Sequence, residues 1–293
     1  MKLIVIGASG FIGSHVYSLS KKVGYDVVGT YTSKYSNGLL KYDLLTDNIF
    51  EKIPEFFIDK SDKVVAVICS AITKIDFCQQ QKELSYNINV KSTISLVEKL
   101  SEQNIKTVFL STDNVFDGER GYYDESDEAN PINEYGSQKF EAERYILSKI
   151  PESLVLRLSK IVGDDPSEEH IFSELYRRVS DSICLDCIEG QIFSPTYVDD
   201  VVKGILISLE KGLTGLYHLS NSEYFSRAEL ARQFLNVANI HGEVVEKPLN
   251  CFKFLDNRPM KTYLDGSKFV KNTGMNFMPI KEVISRFSNP IKI

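Results

Sequence analysis

The stretch YGSQK at residues 135–139 sets a phenol and an ammonium four positions apart. On a helix that spacing places Tyr135 and Lys139 on one face. A phenol near pKa 10 is a poor proton donor or acceptor at neutral pH, and a nearby ammonium favours the tyrosinate and lowers that value. Two dozen residues upstream, TVFLSTDNVFDG carries an apolar run into Ser111, Thr112 and Asp113. A threonine hydroxyl at a strand end could hold a substrate oxygen while the phenol moves a proton. Taken alone, Y-x-x-x-K reads equally well as decoration of a helix surface, so its meaning depends on the other elements.

The N-terminus supplies one of them. KLIVIG runs into GASGFIG, which gives Gly7, Gly10 and Gly13 directly after a strand and at a helix start. Such a turn lets the backbone approach a pyrophosphate, while the first helical amides and the positive end of the helix dipole face it. The spacing is G-x-x-G-x-x-G, and its strand-turn-helix context makes it a dinucleotide site. An acidic residue at the end of the second strand would bind the ribose hydroxyl of NAD and repel a 2′-phosphate. GTYTSK has none there: Thr30, Tyr31, Thr32, Ser33 and Lys34 offer hydroxyls and one cation. The expectation is NADP(H), with NAD as the alternative. Asp43, in KYDLLTD, is placed to accept from an adenine amino group, with a plain loop aspartate as the competing reading.

These residues need a frame. Strand-like runs at 2–7, 25–31, 63–71, 107–112 and 153–163 alternate with helical patterns at 11–24, about 80–103 and 133–150. Near-continuous apolar strands separated by helices predict an α/β fold, a Rossmann-type doubly wound parallel sheet, whose ligands bind beyond the carboxyl ends of the strands. Thr46 and Asp47 are capping candidates for a helix that Pro54 interrupts, and the helix from 11 is expected to close at Gly24. Beyond 163 the pattern is less regular. The reading is a dinucleotide-binding domain over 1–162, with 195–220 returning to it, and a smaller C-terminal lobe from 163–194 and 221–293. In that lobe SRAELARQFLNVANIHG opens with a capping box, Ser226 and Glu229, and is expected to end at Gly242.

Composition narrows the partners. The 293 residues are 25% charged with a formal net charge of −6 and no basic run, which speaks against nucleic acid and anionic membranes. The apolar stretch at the N-terminus is too short for a secretory leader, and no segment is long enough to span a bilayer. Cysteines 69, 78, 184, 187 and 251 are then expected as reduced thiols in a cytoplasm. Cys184 and Cys187 form a lone C-x-x-C inside an apolar run, read as strand thiols rather than a zinc site. His15, His170, His218 and His241 show no ligand spacing, and no metal is expected.

In order along the chain, GASGFIG, CSAITKIDFCQQ with NINV, STDNVFDG, YGSQK, GQIFSPTYVDDVV, GLYHLS with SRAELA, and RPMKTYLDGSKF together resemble the extended short-chain dehydrogenases. The resemblance is greatest to the dTDP-4-dehydrorhamnose reductase branch of sugar-nucleotide reductases. It implies a catalytic Thr112, Tyr135 and Lys139, with Tyr135 giving a proton to a ketone as hydride arrives from NADPH. Lys139 would also bind the nicotinamide ribose. It implies a pyrophosphate loop of Gly7, Ser9, Gly10, Phe11 and Ile12, further cofactor contacts from Tyr31, Thr32, Lys34, Asp43, Leu44 and Ala71, and substrate contacts from Asp113, Asn114, Phe116, Lys160, Gln191 and Arg258. The partner would be a nucleotide sugar, and a homodimer is a family expectation. Three departures concern the sugar: Gln138 stands where the family has Ser or Thr, Lys160 where it has an aromatic, and Phe193 where it has glycine. A 4,6-dehydratase would need Asp-Glu where Asp113-Asn114 stands, and a fucose-type epimerase-reductase a cysteine and histidine that are missing. A 4-epimerase and an NADP-binding regulatory subunit of methionine adenosyltransferase remain alternatives.

Overall fold

The computed structural model describes residues 1–57, 63–181 and 184–289. Its first half runs β1 (Lys2–Ile6), α1 (Phe11–Lys22), β2 (Asp26–Tyr31), β3 (Leu40–Lys41), α2 (Ile49–Lys52), β4 (Val64–Ile68), α3 (Ile75–Gln80), α4 (Lys82–Tyr86), α5 (Thr93–Glu102), β5 (Lys106–Thr112), α6 (Glu134–Lys149) and β6 (Leu154–Leu158). The second half continues with β7 (Lys160–Val162), α7 (Ile171–Asp181), β8 (Cys184–Ile188), β9 (Ile192–Phe193), β10 (Pro195–Tyr197), α8 (Val198–Glu210), β11 (Gly215–Leu219), β12 (Phe225–Ser226), α9 (Arg227–Ala238), β13 (Glu243–Lys247), α10 (Ser267–Thr273) and α11 (Ile280–Ser288).

Seven parallel strands form the central sheet in the order β11-β6-β5-β4-β1-β2-β3. The order reverses between β1 and β4, so the crevice of this Rossmann-type sheet opens where Gly7 and the Cys69–Ala71 segment leave their strands. Both faces are covered, which is why the strands carry continuous apolar runs. Leu3, Val5, Val65, Val67, Val108 and Leu156 pack on one side under α1 and α8, while Ile4, Ile6, Ala66, Ile68, Phe109 and Val155 pack on the other with α5 and α6. Within 195–220, α8 packs on α1, and β11 extends the sheet beyond β6. A separate apolar core built on Phe172, Phe234 and Phe287 supports the C-terminal elements.

Local departures from the sequence pattern have identifiable causes. The segment expected as one helix over 80–103 is α4, a wider π-helical stretch from Asn87 to Ser92, and α5. The wider turn shifts the phase of the buried face, leaving Leu84 40% exposed and bringing Asn89 inside. The run 153–163 divides at Ser159, after which β7 leaves the main sheet and pairs with β10. The cap of α2 is Asn48, whose side chain accepts from the Phe50 amide, rather than Thr46 or Asp47. Pro54 opens a 3-10 turn as its missing N–H requires. The capping box of Ser226 and Glu229 is present, but α9 ends at Asn239 in the left-handed region (φ 56°), ahead of Gly242. Among the described residues no helix is long and apolar enough to cross a membrane.

Candidate active site

Thr112 ends β5, and Tyr135 and Lys139 lie in the first turns of α6, so the three meet at the carboxyl edge of the sheet. The approach of α6 to this edge requires glycine inside YGSQK: a Cβ on Gly136 would stand 2.0 Å from the Asn114 carbonyl. Asn133 caps α6, accepting from the Gly136 amide at 2.8 Å, and its amide nitrogen donates to Asn114 Oδ1 at 3.2 Å. The helix start is thereby tied to the TDN segment. The Thr112 and Tyr135 hydroxyls are hydrogen-bonded to each other.

Two shifts define the electrostatics. Burial raises the Tyr135 phenol well above its ordinary value, against the Thr112 hydrogen bond and with a further upward push from the Asp113 charge. Burial also brings the Lys139 ammonium down to about 7, with Glu143 opposing. The expected lowering of Tyr135 is therefore reversed in the protein alone, because burial outweighs a lysine that is itself losing its charge. Lys139 has no hydrogen bond or ion pair among the described residues, and its Nζ sits 3.8 Å from the centre of the Phe109 ring.

Gln138 belongs to the support. Its amide donates to Ser85 Oγ (2.8 Å) and Glu134 (3.1 Å), and its oxygen accepts from Asn89 Nδ2 (2.8 Å). Asn89 in turn clamps Ile72, accepting from its amide and donating to its carbonyl. The π-helical turn thus ties the loop after β4, with the half-buried Ala71, to the helix that carries Tyr135 and Lys139.

The glycine turn is shaped for close approach. A Cβ on Gly13 would meet the Gly7 carbonyl at 2.2 Å, and the Gly7 amide donates to buried Thr30 Oγ1 at 3.0 Å. No side chain caps α1 at Gly10, so its first amides remain open to a ligand, flanked by Ser9, Phe11 and Ile12. Phe11 stacks on His170 and Ile12 reaches the large cleft. At the end of β2, Tyr31 packs edge-on to Tyr35, the Thr32 hydroxyl donates to the Tyr42 carbonyl, and Lys34 is exposed. One Asp43 oxygen accepts from the Leu45 amide, and Leu44 lines a shallow hollow beside it. An uncapped helix start, a glycine turn, a β2 end without a carboxylate and an unpartnered Lys139 fit a phosphorylated dinucleotide. No group of residues suited to hold a metal occurs among the described residues.

A cleft of about 830 Å³ runs from this edge to the C-terminal elements, with Thr112, Asp113, Asn114, Tyr135, Lys160, Gln191 and Arg258 in its wall. The Asp113 carboxylate is buried without a cation and is held by Thr112, Asn114 and Ser159 hydrogen bonds. Burial raises its pKa, and those donors, with Thr262, oppose the rise. Gln191 Oε1 is buried and has no hydrogen-bond partner among the described residues. Arg258 is anchored to Asp76 at 2.9 Å and lies over Phe254. Phe193 is buried in the cleft wall. Phe116 is a correction: it is fully buried outside the cleft, stacked on Tyr123 at 4.2 Å and beneath the Arg157 guanidinium, so it is a core residue and not a substrate contact. The sequence reading missed Arg177, Arg178, Arg227, Glu174 and Ser159, which also line the cleft. Their helices were legible, but nothing local in the sequence shows that α7 and α9 converge there.

Comparison with known proteins places this geometry. The whole chain, residues 1–293, matches the family described as RmlD substrate binding domain. It is 27% identical over 278 residues to a probable low-salt glycan biosynthesis reductase, Agl14, of Haloferax volcanii, covering 91% of this chain and 90% of that one. It is 29% identical over 248 residues to methionine adenosyltransferase 2 subunit beta of Danio rerio, covering 82% and 74%. Among solved structures, a hypothetical dTDP-4-dehydrorhamnose reductase from Sulfolobus tokodaii is similar with a TM-score of 0.83 and 30% identity, covering 94% of this chain and 96% of that one.

Proposed function

The chain belongs to the RmlD substrate binding domain family, and from that premise we propose that it is an NADPH-dependent reductase converting a nucleotide-linked 4-keto-sugar into the hydroxy sugar. The observation that carries this reading is Thr112 and Tyr135 in the wall of a deep cleft, with Lys139 buried one helical turn after Tyr135 and without a hydrogen bond or ion pair among the described residues. Gly7, Ser9, Gly10, Phe11 and Ile12 would hold the pyrophosphate, Tyr31, Thr32 and Lys34 the adenosine ribose and its phosphate, and Asp43, Leu44 and Ala71 the cofactor's flanks. The nicotinamide, when bound, supplies the hydride.

The chain's own residues handle the proton. A phenol whose pKa is raised by burial keeps its proton until a stronger base forms beside it, and the oxygen of a ketone under reduction is such a base. Tyr135 then donates to that oxygen while Thr112 orients it. The tyrosinate left behind is stabilised by the Lys139 charge, and Lys139 would bind the nicotinamide ribose. Asp113, Asn114, Lys160, Gln191 and Arg258 would hold the substrate, with Arg258 toward the diphosphate.

The similarity to a methionine adenosyltransferase subunit supports a second reading, an NADP-binding regulatory protein. Fold does not decide between the two. The retained phenol, lysine and threonine favour an enzyme, since a protein that only binds is free to lose them. Incubation with NADPH and a panel of dTDP-, UDP-, GDP- and CDP-linked 4-keto-sugars, followed by absorbance of the reduced cofactor, tests this directly. Oxidation with at least one sugar is expected; none, together with tight NADP binding, would promote the regulatory reading.

A further inference from the structure

We propose that Lys160 selects a substrate whose sugar carries a carboxylate, an acidic nucleotide-linked keto-sugar in place of a neutral one. The inference rests on the reductase reading and names its substrate class. Lys160 begins β7 opposite Pro195 of β10, and its side chain opens into the cleft. It follows Ser159, whose hydroxyl donates to Asp113 Oδ2 at 3.2 Å, and Asp113 adjoins Thr112, the hydrogen-bond partner of Tyr135. Lys160 and the reacting Thr112 and Tyr135 line the same cleft.

The four charges that act on it, Arg227, Glu174, Asp113 and Arg258, already have partners. Glu174 pairs with Arg227 at 3.0 Å and with Arg178 at 3.4 Å. Arg258 is taken by Asp76, and Asp113 is occupied by hydroxyl and amide donors. Arg177 and Lys74, the other cleft cations without an ion pair among the described residues, are exposed as Lys160 is, and Arg177 donates to the Ser173 carbonyl. Lys160 has no ion pair or hydrogen bond among the described residues, while Arg227 and Arg258 repel its charge and Glu174 and Asp113 attract it.

A substrate that fills the cleft strips water from this ammonium. A neutral sugar returns only hydroxyl acceptors, whereas a carboxylate restores the charge balance and forms a charge-assisted hydrogen bond. The diphosphate does not compete for the role if it sits with Arg258, as proposed above.

The test uses stable probes on the full chain saturated with NADP: UDP-glucuronate against UDP-glucose, repeated with the matching dTDP pair, each titrated calorimetrically. The acidic member should bind about 10- to 100-fold more tightly, the range of a charge-assisted bond. Lys160→Gln should bring the pair to within about threefold by weakening only the acidic sugar, and Lys160→Arg should keep most of the preference. Equal binding of both sugars by the wild type would overturn the proposal and leave the reductase reading intact. So would a Lys160→Gln variant that weakens both sugars and free UDP alike, which would assign Lys160 to the phosphates. If neither pair binds, and the matching GDP and CDP pairs do not bind either, while NADP does, the reductase reading falls and this proposal with it.

Discussion

Two buried cations lie on either side of the same carboxylate and have opposite surroundings. Arg157 donates through Nε to both Glu143 oxygens at 3.1 and 3.2 Å, adds a second contact through its terminal nitrogen, and lies over the Phe116 ring. Ser111 completes Glu143 at 2.6 Å. His218, close to Arg157, is pushed down to about 3 by burial and by the guanidinium, and so stays neutral. One turn before Glu143, Lys139 is buried against the Phe109 ring, and among the described residues it has no hydrogen bond or ion pair. The Arg157 cluster is saturated and can do nothing but hold β6, α6 and β11 together. Among the described residues Lys139 makes no hydrogen bond or ion pair, which leaves it free for the ligand role proposed above. That difference separates scaffold from site within one helix.

The largest effect expected from either region is kinetic. Tyr135→Phe should lower kcat by about 10²- to 10⁴-fold, the usual contribution of a positioned acid, while changing stability by no more than about 1 kcal/mol. Rates of NADPH oxidation and a denaturant melt on the same preparation would read both. Full turnover would remove Tyr135 as the acid.

The comparison itself is sharpened by making one replacement on both cations. Arg157→Met should destabilise the protein by about 3–5 kcal/mol, because it strands the Glu143 charge in the interior. Lys139→Met should stabilise the cofactor-free protein by roughly 1–3 kcal/mol while abolishing turnover. The sign follows from the direction of the shift. A lysine brought down to about 7 binds its proton more weakly folded than unfolded, so its presence costs most below pH 7 and less as pH rises toward 10.5. Urea melts at pH 6 and pH 9 should therefore show the Lys139→Met gain shrinking with pH. Equal losses from both variants would erase the distinction between the two regions.

How far the sequence displayed this division depends on whether a feature is local. The parallel sheet, the glycine turn and the Thr112, Tyr135 and Lys139 set were legible because each is written in short runs with a period or a spacing. The π-helical turn at Asn87–Ser92 was not, since one wide turn leaves no mark in a helical pattern and shows only when Asn89 is seen clamping Ile72. Phe116 was misread because the VFDG run by which the family is recognised also carries a core aromatic, and only its stacking on Tyr123 tells the two apart. Gln138 was read with the departures that concern the sugar, yet three hydrogen bonds make it part of the frame. The cations of the cleft come from separate helices and strands, and their convergence is a property of the fold alone.

His15 lies between the two extremes, saturated but within reach of water, and it carries the smallest effect argued here. Its Nδ1 meets Asp199 of α8 and its Nε2 meets Glu168 ahead of α7, both at 2.9 Å, with the side chain 19% exposed. Burial disfavours its charge, but the hydrogen bonds it donates to Asp199 and Glu168 win and raise it from 6.5 to about 9. A base whose folded pKa is raised contributes fully below 6.5 and loses that contribution as pH climbs through about 9. On the acid side, Asp199 is held below its ordinary 3.8 by the His15 hydrogen bond, so its share fades only as pH falls below that value. The clamp joining α1 to α8 and to the segment before α7 is thus strongest between about 4 and 6.5. His15→Gln should cost roughly 1–2 kcal/mol in that window, discounted for the water that reaches the pair. The cost should shrink steadily toward pH 10. A cost that stays flat from pH 5 to pH 10 would assign His15 to packing against Phe11, its edge-on neighbour at 5.6 Å, and would remove the charge from the argument.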